Sequence, residues 1–287
     1  MTTHSDWDIA TGVGFTALVV AAGRAVESGR PHRLIDDPYA AELVRAAGTG
    51  TPLATDPCEA DPVMAHLADH MAVRSRCLDD WFDRACSAGV RQAVVLASGL
   101  DTRAFRLSWP EGFRLFEIDR PRVLEFKDSV LSGRQPGCDR RTVGVDLREE
   151  WSGELERAGF DRTAPTAWLA EGLLPYLPAR AERRLLETVH SLSAPGSRVA
   201  VEQLRRIDLM SDVVPKLPAT EWGVDLTALF APEDKPDPAG LLGELGWRTG
   251  RRDLPRIAAS YDRRLPSEET LAPLTENTAI LCAELSG

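Results

Sequence analysis

The sequence predicts an α/β protein: a doubly wound, mostly parallel sheet with an antiparallel final strand, a helical N-terminal extension and an inserted lid. Three observations predict it. From Arg91 onward short apolar runs alternate with helical patterns, the signature of βαβ units and a parallel sheet. The first ninety residues carry helical periodicity and none of these runs. Near the end, two strand-like segments follow a Pro-containing stretch that interrupts the alternation.

Taken in order, Ala10 to Glu27 is a helix apolar enough to be buried, stopped by Gly29 and Pro31. Asp36, Asp37 and Pro38 offer the cap and first turn of a second helix that turns Tyr39, Leu43 and Val44 inward. Asp61 to Ala88 is a third, longer helix ended by Gly89. Strands are expected at Ala93 to Ala97, Phe113 to Ile118, Arg141 to Val145, Thr166 to Ala170 and Ser197 to Glu202. Helices are expected between them at Val123 to Leu131, Glu149 to Ala158 and Ala179 to Leu192. Residues 205–240 read as a lid or substrate-side insertion, followed by a helix at Leu241 to Leu245 and a hairpin-like pair of strands, Trp247 to Arg251 and Thr278 to Glu284. The whole chain, 1–287, reads as one domain with residues 1–90 as a helical cap.

The formal net charge of -10 argues against nucleic acid as the main partner, because phosphate backbones are held by clustered Lys and Arg. Five scattered cysteines without a C-x-x-C pair suggest neither a disulfide framework nor zinc, so no metal is expected. The apolar run from Phe15 to Ala22 is too short for a membrane span, and the expected setting is the cytoplasm.

The chemistry concentrates at the ends of the expected strands. In residues 94–107, VVLASGLDTRAFRL, a buried strand runs into a turn at Ala97 and Gly99. A ligand touches backbone there when no side chain blocks the approach, although a plain strand-to-helix turn has the same pattern. The second strand ends in LFEIDRP, placing Asp119 about 20 residues after Gly99, where nucleotide folds carry an acid for ribose hydroxyls. A helix cap before Pro121 is the alternative. A pyrophosphate needs several close backbone approaches, and the G-x-G-x-x-G that supplies them is missing, which disfavours NAD. S-adenosylmethionine has no phosphates and makes no such demand.

Asp146 and Leu147, in VGVDLRE, suit an adenine amino group and ring, or a helix cap. Glu171 and Gly172, in WLAEGLLPYL, place an acid at the end of an apolar strand, where it requires a partner. A cationic ligand supplies one, and so does an arginine. Tyr176 either points its hydroxyl into the same cleft or packs. Arg74 and Arg76 lie on the helix before the first strand, where an arginine is placed to clamp a ligand carboxylate; alternatively, Arg76 forms an ordinary surface pair with Asp79 or Asp80. His66 and His70, without a third ligand, read as structural or solvent-facing.

The ordered set DIATGVGFTALVVAAGRAVE, LIDDPYA, the Arg74 segment, ASGLDTRAFRL, FEIDRP, VDLRE and AEGLLPYL resembles the bacterial branch of the leucine carboxyl methyltransferase superfamily. The likeness covers most of the chain. It implies a class I methyltransferase fold with S-adenosylmethionine as cofactor, contacted by Arg74 at its carboxylate, Ala97 and Gly99 at the turn, Asp119 at the ribose, Asp146 and Leu147 at the adenine, and Glu171. Tyr176 matches a position facing the methyl acceptor. Many relatives carry Gly where this chain has Ala97, and residues 205–240 match weakly. The implied reaction is methylation of an oxygen of a small molecule, a carboxylate being favoured because it needs no general base. The rivals are a non-catalytic S-adenosylmethionine-binding regulator and an NAD-linked oxidoreductase.

Overall fold

The computed structural model describes residues 12–49, 52–209, 235–265 and 271–286, together with Val213. Its core is a seven-stranded sheet: β1 (Gln92–Leu96), β2 (Arg114–Asp119), β3 (Asp139–Gly144), β4 (Thr166–Ala170), β5 (Arg198–Leu204), β6 (Trp247–Asp253) and β7 (Thr278–Leu285) in the order β3-β2-β1-β4-β5-β7-β6. Strands β1 to β5 are parallel, and β7 runs antiparallel between β5 and β6. The chain moves outward from β1 through β2 to β3, then restarts on the other side at β4. That reversal opens a crevice beyond the carboxyl ends of β1 and β4, the place where such sheets bind ligands.

Why these segments became strands is plain from burial. Every residue of β1 and β4 is buried, and successive side chains alternate between two cores. Val94, Leu96, Phe116 and Trp168 face α7 (Ala179–Ser191) and α8 (Pro238–Glu244). Ala93, Val95 and Leu115 face α3 (Pro62–Ser87), which contributes Leu78, Trp81 and Phe82. Strand β3 differs: only Val143 is buried, so this edge carries arginines and starts at Asp139, two residues before the expected Arg141.

The N-terminal helices form a third core in which Phe15 and Leu18 of α1 (Gly12–Ser28) meet Leu43 of α2 (Ala40–Ala46) and Leu67 of α3. Helix α3 begins as expected, with the Asp61 carboxylate accepting the Met64 N–H at 2.7 Å and Pro62 in the first turn. Its end is marked by Gly89 at φ +93°. Helix α2 departs from expectation: it starts at Ala40, with Tyr39 rather than Asp37 at the cap. The Asp37 carboxylate is buried and committed elsewhere, accepting from Arg24 Nε at 2.8 Å and from the Thr102 hydroxyl at 2.7 Å.

Between the strands stand α4 (Arg103–Arg106), α5 (Pro121–Val130) and α6 (Ser152–Arg157). Helix α6 is shorter than the expected Glu149 to Ala158, because Asp146 to Glu149 form a turn closed by the Glu149 N–H on the Asp146 carbonyl. The terminal strands pair antiparallel, but not as a hairpin. Two short helices that the sequence pattern did not reveal, α9 (Leu254–Ser260) and α10 (Ala272–Asn277), lie between them in sequence. Of the expected lid at 205–240, only residues 205–209, 213 and 235–240 belong to the described part; the rest, like Ala10 of the first expected helix, lies outside the described residues. Among the described residues no helix is long and apolar enough to cross a membrane.

Candidate active site

A cavity of ≈ 490 Å³ opens where the crevice was expected, bounded by the strand ends and roofed by Thr16, Ala17 and Val20 of α1. The eight residues that the resemblance assigns to the cofactor and acceptor all line it: Arg74, Ala97, Gly99, Asp119, Asp146, Leu147, Glu171 and Tyr176.

One end is built from backbone and isolated acids. After β1 the chain turns through Ala97 at φ 53° and Gly99 at φ 48°. The second is natural for glycine; the first places a Cβ in the left-handed region, at a cost of ~1–2 kcal/mol. The turn is pinned to β2, with the Ser98 N–H donating to the Ile118 carbonyl at 3.0 Å and the Gly99 N–H to Asp119 Oδ2 at 2.7 Å. Asp119 Oδ1 accepts the Arg120 N–H at 2.7 Å. Burial raises the Asp119 pKa and outweighs these two donors. The helix-cap alternative is not realised, because Arg120 occupies the cap position of α5. Asp146 lies past the end of β3, gripped by Arg148 Nη2 at 2.6 Å and approached by Arg120 Nε at 3.4 Å. The hydrogen bond from Arg148, first among the causes, holds the Asp146 carboxyl at about 2. No helix starts at Asp146, and Leu147 beside it is half-buried against the core.

The other end is an ionic lattice. Glu171, past β4, forms an ion pair with Arg74 Nε and accepts from Arg103 Nη1, both at 2.7 Å, so the arginine alternative raised from the sequence is realised. Arg74 also reaches β5, where Nη1 donates to both oxygens of Glu202 at 3.0 and 2.9 Å. Arg103 continues to Asp79 at 2.7 Å and Asp101 at 2.5 Å, and Arg106 closes on Asp79 at 2.7 Å. Burial works against the Glu202 and Asp101 charges, yet the neighbouring guanidiniums hold both carboxyls at about 2. Three guanidiniums thus face four carboxylates, an excess of one negative charge in the lattice.

Glu202, Arg103 and Asp101 escaped the sequence reading as site residues. The signal for Glu202 was available: like Glu171, it is an acid that directly follows a buried apolar run, here Val199 to Val201. His66 and His70 are not solvent-facing. Both are buried, with His66 Nε2 at 2.9 Å and His70 Nδ1 at 3.2 Å from the Thr275 hydroxyl, and His70 Nε2 at 3.8 Å from Glu202. Burial lowers the His70 pKa, so the ring is neutral near pH 7. Tyr176 ends a 3₁₀ turn, Leu174–Tyr176, and its phenol hydrogen-bonds Thr16 of the roof; burial raises its pKa. Arg76 pairs with Asp80 at 2.8 Å, as one of the two expected partners.

This donor set fits S-adenosylmethionine. The pinned turn exposes backbone, the Asp119 carboxylate has lone pairs beyond its two N–H donors, and the lattice's excess negative charge matches a ligand carrying an ammonium and a sulfonium. A diphosphate would meet carboxylates at both ends of the cavity.

The sequence profile described as leucine carboxyl methyltransferase matches residues 17–190. A Saccharopolyspora erythraea protein assigned as an S-adenosyl-L-methionine-dependent methyltransferase is 55% identical over 269 residues, covering 92% of this chain and 93% of the relative. A second, from Mycobacterium sp. strain JLS with the same assignment, is 47% identical over 86% of this chain and 88% of the relative. Two crystal structures share the fold: a DUF574 family protein from Streptomyces avermitilis (TM-score 0.53, 14% identity, 93% of this chain and 96% of that one) and a protein assigned as a methyltransferase from Thermobifida fusca (TM-score 0.51, 18% identity, 93% and 94%). The chain belongs to the leucine carboxyl methyltransferase family and is an S-adenosylmethionine-dependent methyltransferase.

Proposed function

We propose that this member of the leucine carboxyl methyltransferase family methylates a carboxylate oxygen of a small molecule, with residues 1–287 acting as one cytoplasmic catalytic unit. The carrying observation is the state of the bases on the cavity wall. Among the described residues, His70 is neutral with its ring nitrogens facing Thr275 and Glu202, Tyr176 is held protonated by burial, and Glu171 and Glu202 are paired to arginines. Such a wall suits an acceptor that arrives already deprotonated at neutral pH, as a carboxylate does and an alcohol does not.

S-adenosylmethionine, when bound, supplies an electrophilic methyl group on a sulfonium. The chain's own work is positioning and exclusion of water. In this reading Asp119 accepts from the ribose hydroxyls, Asp146 and Leu147 hold the adenine, Arg74 faces the methionine carboxylate, and Ala97 and Gly99 present backbone. Glu171 offsets positive charge, and the lattice keeps Arg74 and Glu171 in fixed orientations. Val20, Met71, Leu173 and Leu274 make the remaining wall apolar, which favours an acceptor with a hydrocarbon body. Tyr176, tied to the roof through Thr16, orients the acceptor by its hydroxyl.

The test is methyl transfer from labelled S-adenosylmethionine to a panel of small carboxylic acids, phenols and alcohols. The expected product releases its label as methanol in mild alkali, as a methyl ester does. Label retained in alkali, as in an ether, would refute carboxylate methylation.

A further inference from the structure

A second hollow of ≈ 600 Å³ lies at the opposite edge of the sheet, between α3 and strands β5, β7 and β6. Pairing register sets its chemistry. Arg198 of β5 and Arg248 of β6 both stand opposite Glu284 of β7, so the three side chains share one face. Two residues farther along β6 that face carries Gly250, and two farther still Arg252. A Cβ at Gly250 would meet no heavy atom within 4 Å, so this glycine is the empty middle of a row of arginines. Helix α3 adds Arg84, and Trp81 closes the inner wall.

Five arginines line the hollow, Arg251 among them from the strand's other face, against the one carboxylate of Glu284, in a protein whose net charge is -10. Glu284 is shared between Arg198 Nη2 at 3.3 Å and Arg248 Nη2 at 2.8 Å. Among the described residues Arg252 donates only to the thiol sulfur of Cys77 at 3.4 Å, a weak acceptor, and Arg198 Nε is buried without a hydrogen-bond partner. Neither nearby thiol is an anion at neutral pH: burial raises the Cys77 pKa and pushes Cys282 to about 11. The other face of the same strand shows the contrast, since Arg251 there is matched by Asp237 at 2.5 and 2.6 Å. Charge placed on an edge strand merely to prevent pairing with another sheet does not require convergence on a hollow with a glycine at its centre.

We propose that this hollow, separate from the cofactor cavity, binds a phosphate-type oxyanion in the arginine fork formed by Arg84, Arg198, Arg248 and Arg252. Guanidinium groups match the paired oxygens of phosphate and bind them through charge-assisted hydrogen bonds. The oxyanion is either free phosphate or a phosphoryl group on a carrier molecule. The test is calorimetric titration of the full chain with inorganic phosphate and with glycerol 3-phosphate, at ionic strength matched with chloride. Saturable binding is expected in the native chain, and at least tenfold weaker binding in Gly250→Leu, which fills the hollow, and in Arg252→Gln and Arg84→Gln, which remove charge at exposed positions. S-adenosylhomocysteine affinity should be unchanged in all three, which separates this site from the cofactor cavity and reports folding. Equal affinity for both ligands identifies a phosphoryl group on a carrier, and binding of inorganic phosphate alone identifies the free ion. Heats no greater than those of matched chloride, or phosphate binding unchanged in Gly250→Leu and Arg252→Gln, would overturn the proposal.

Discussion

The two ends of the cofactor cavity hold their acids by opposite means. At the turn after β1, Asp119 accepts two backbone N–H groups, forms no ion pair among the described residues, and has a pKa raised by burial. Under β4 and β5, Glu171 and Glu202 sit in a lattice of arginines that also ties α3, α4 and two strands together. The first arrangement keeps acceptor capacity for a ligand. The second spends most of its capacity on the fold, so damage there should reach stability before it reaches binding.

The largest expected effect follows from breaking the lattice at its centre. Arg103→Ala strips the buried partner from Asp101 and from one side of Glu171 and Asp79, and should cost ~3–5 kcal/mol of unfolding free energy in denaturant titrations. A loss below about 1 kcal/mol would erase the distinction between the two ends. Acid should reveal the same asymmetry. The Glu202 carboxyl is depressed from 4.5 to about 2, so its contribution is fully present above pH 4.5 and is lost as pH falls toward 2. Glu202→Gln should flatten the stability profile in that window. Asp119 has the opposite sign: its raised pKa makes the folded state take up a proton more readily, so it adds no acid lability.

At the other end, Asp119→Ala should weaken S-adenosylmethionine binding at least tenfold, about 1.4 kcal/mol or more, while lowering stability far less than Arg103→Ala. Calorimetry and denaturation on the same preparation check both halves. The smallest effect is expected at Ala97→Gly. Relief of the left-handed strain is offset by the greater chain entropy of glycine, leaving a net change within ~1 kcal/mol and an unaltered affinity.

This contrast also explains what the sequence revealed. The parallel strands were legible because β1 and β4 are buried on both faces and read as unbroken apolar runs. Strand β3 was placed two residues late because its arginines lie on a polar edge, and α9 and α10 are too short for a helical period to emerge. Site residues stood out where a strand ends in a turn, as at Gly99, Asp119 and Glu171. The lattice did not, because partners such as Arg74 and Glu202 are separated by 128 residues and meet only in the folded chain. Asp37 likewise looked like a helix cap until Arg24 and Thr102 were seen to claim it.

The most direct measurement is a crystal structure of the complex with S-adenosylhomocysteine. The ribose hydroxyls should lie within hydrogen-bond distance of Asp119, with the adenine beside Asp146 and Leu147. A nucleoside bound elsewhere, with Asp119 still accepting only from Gly99 and Arg120, would contradict the account.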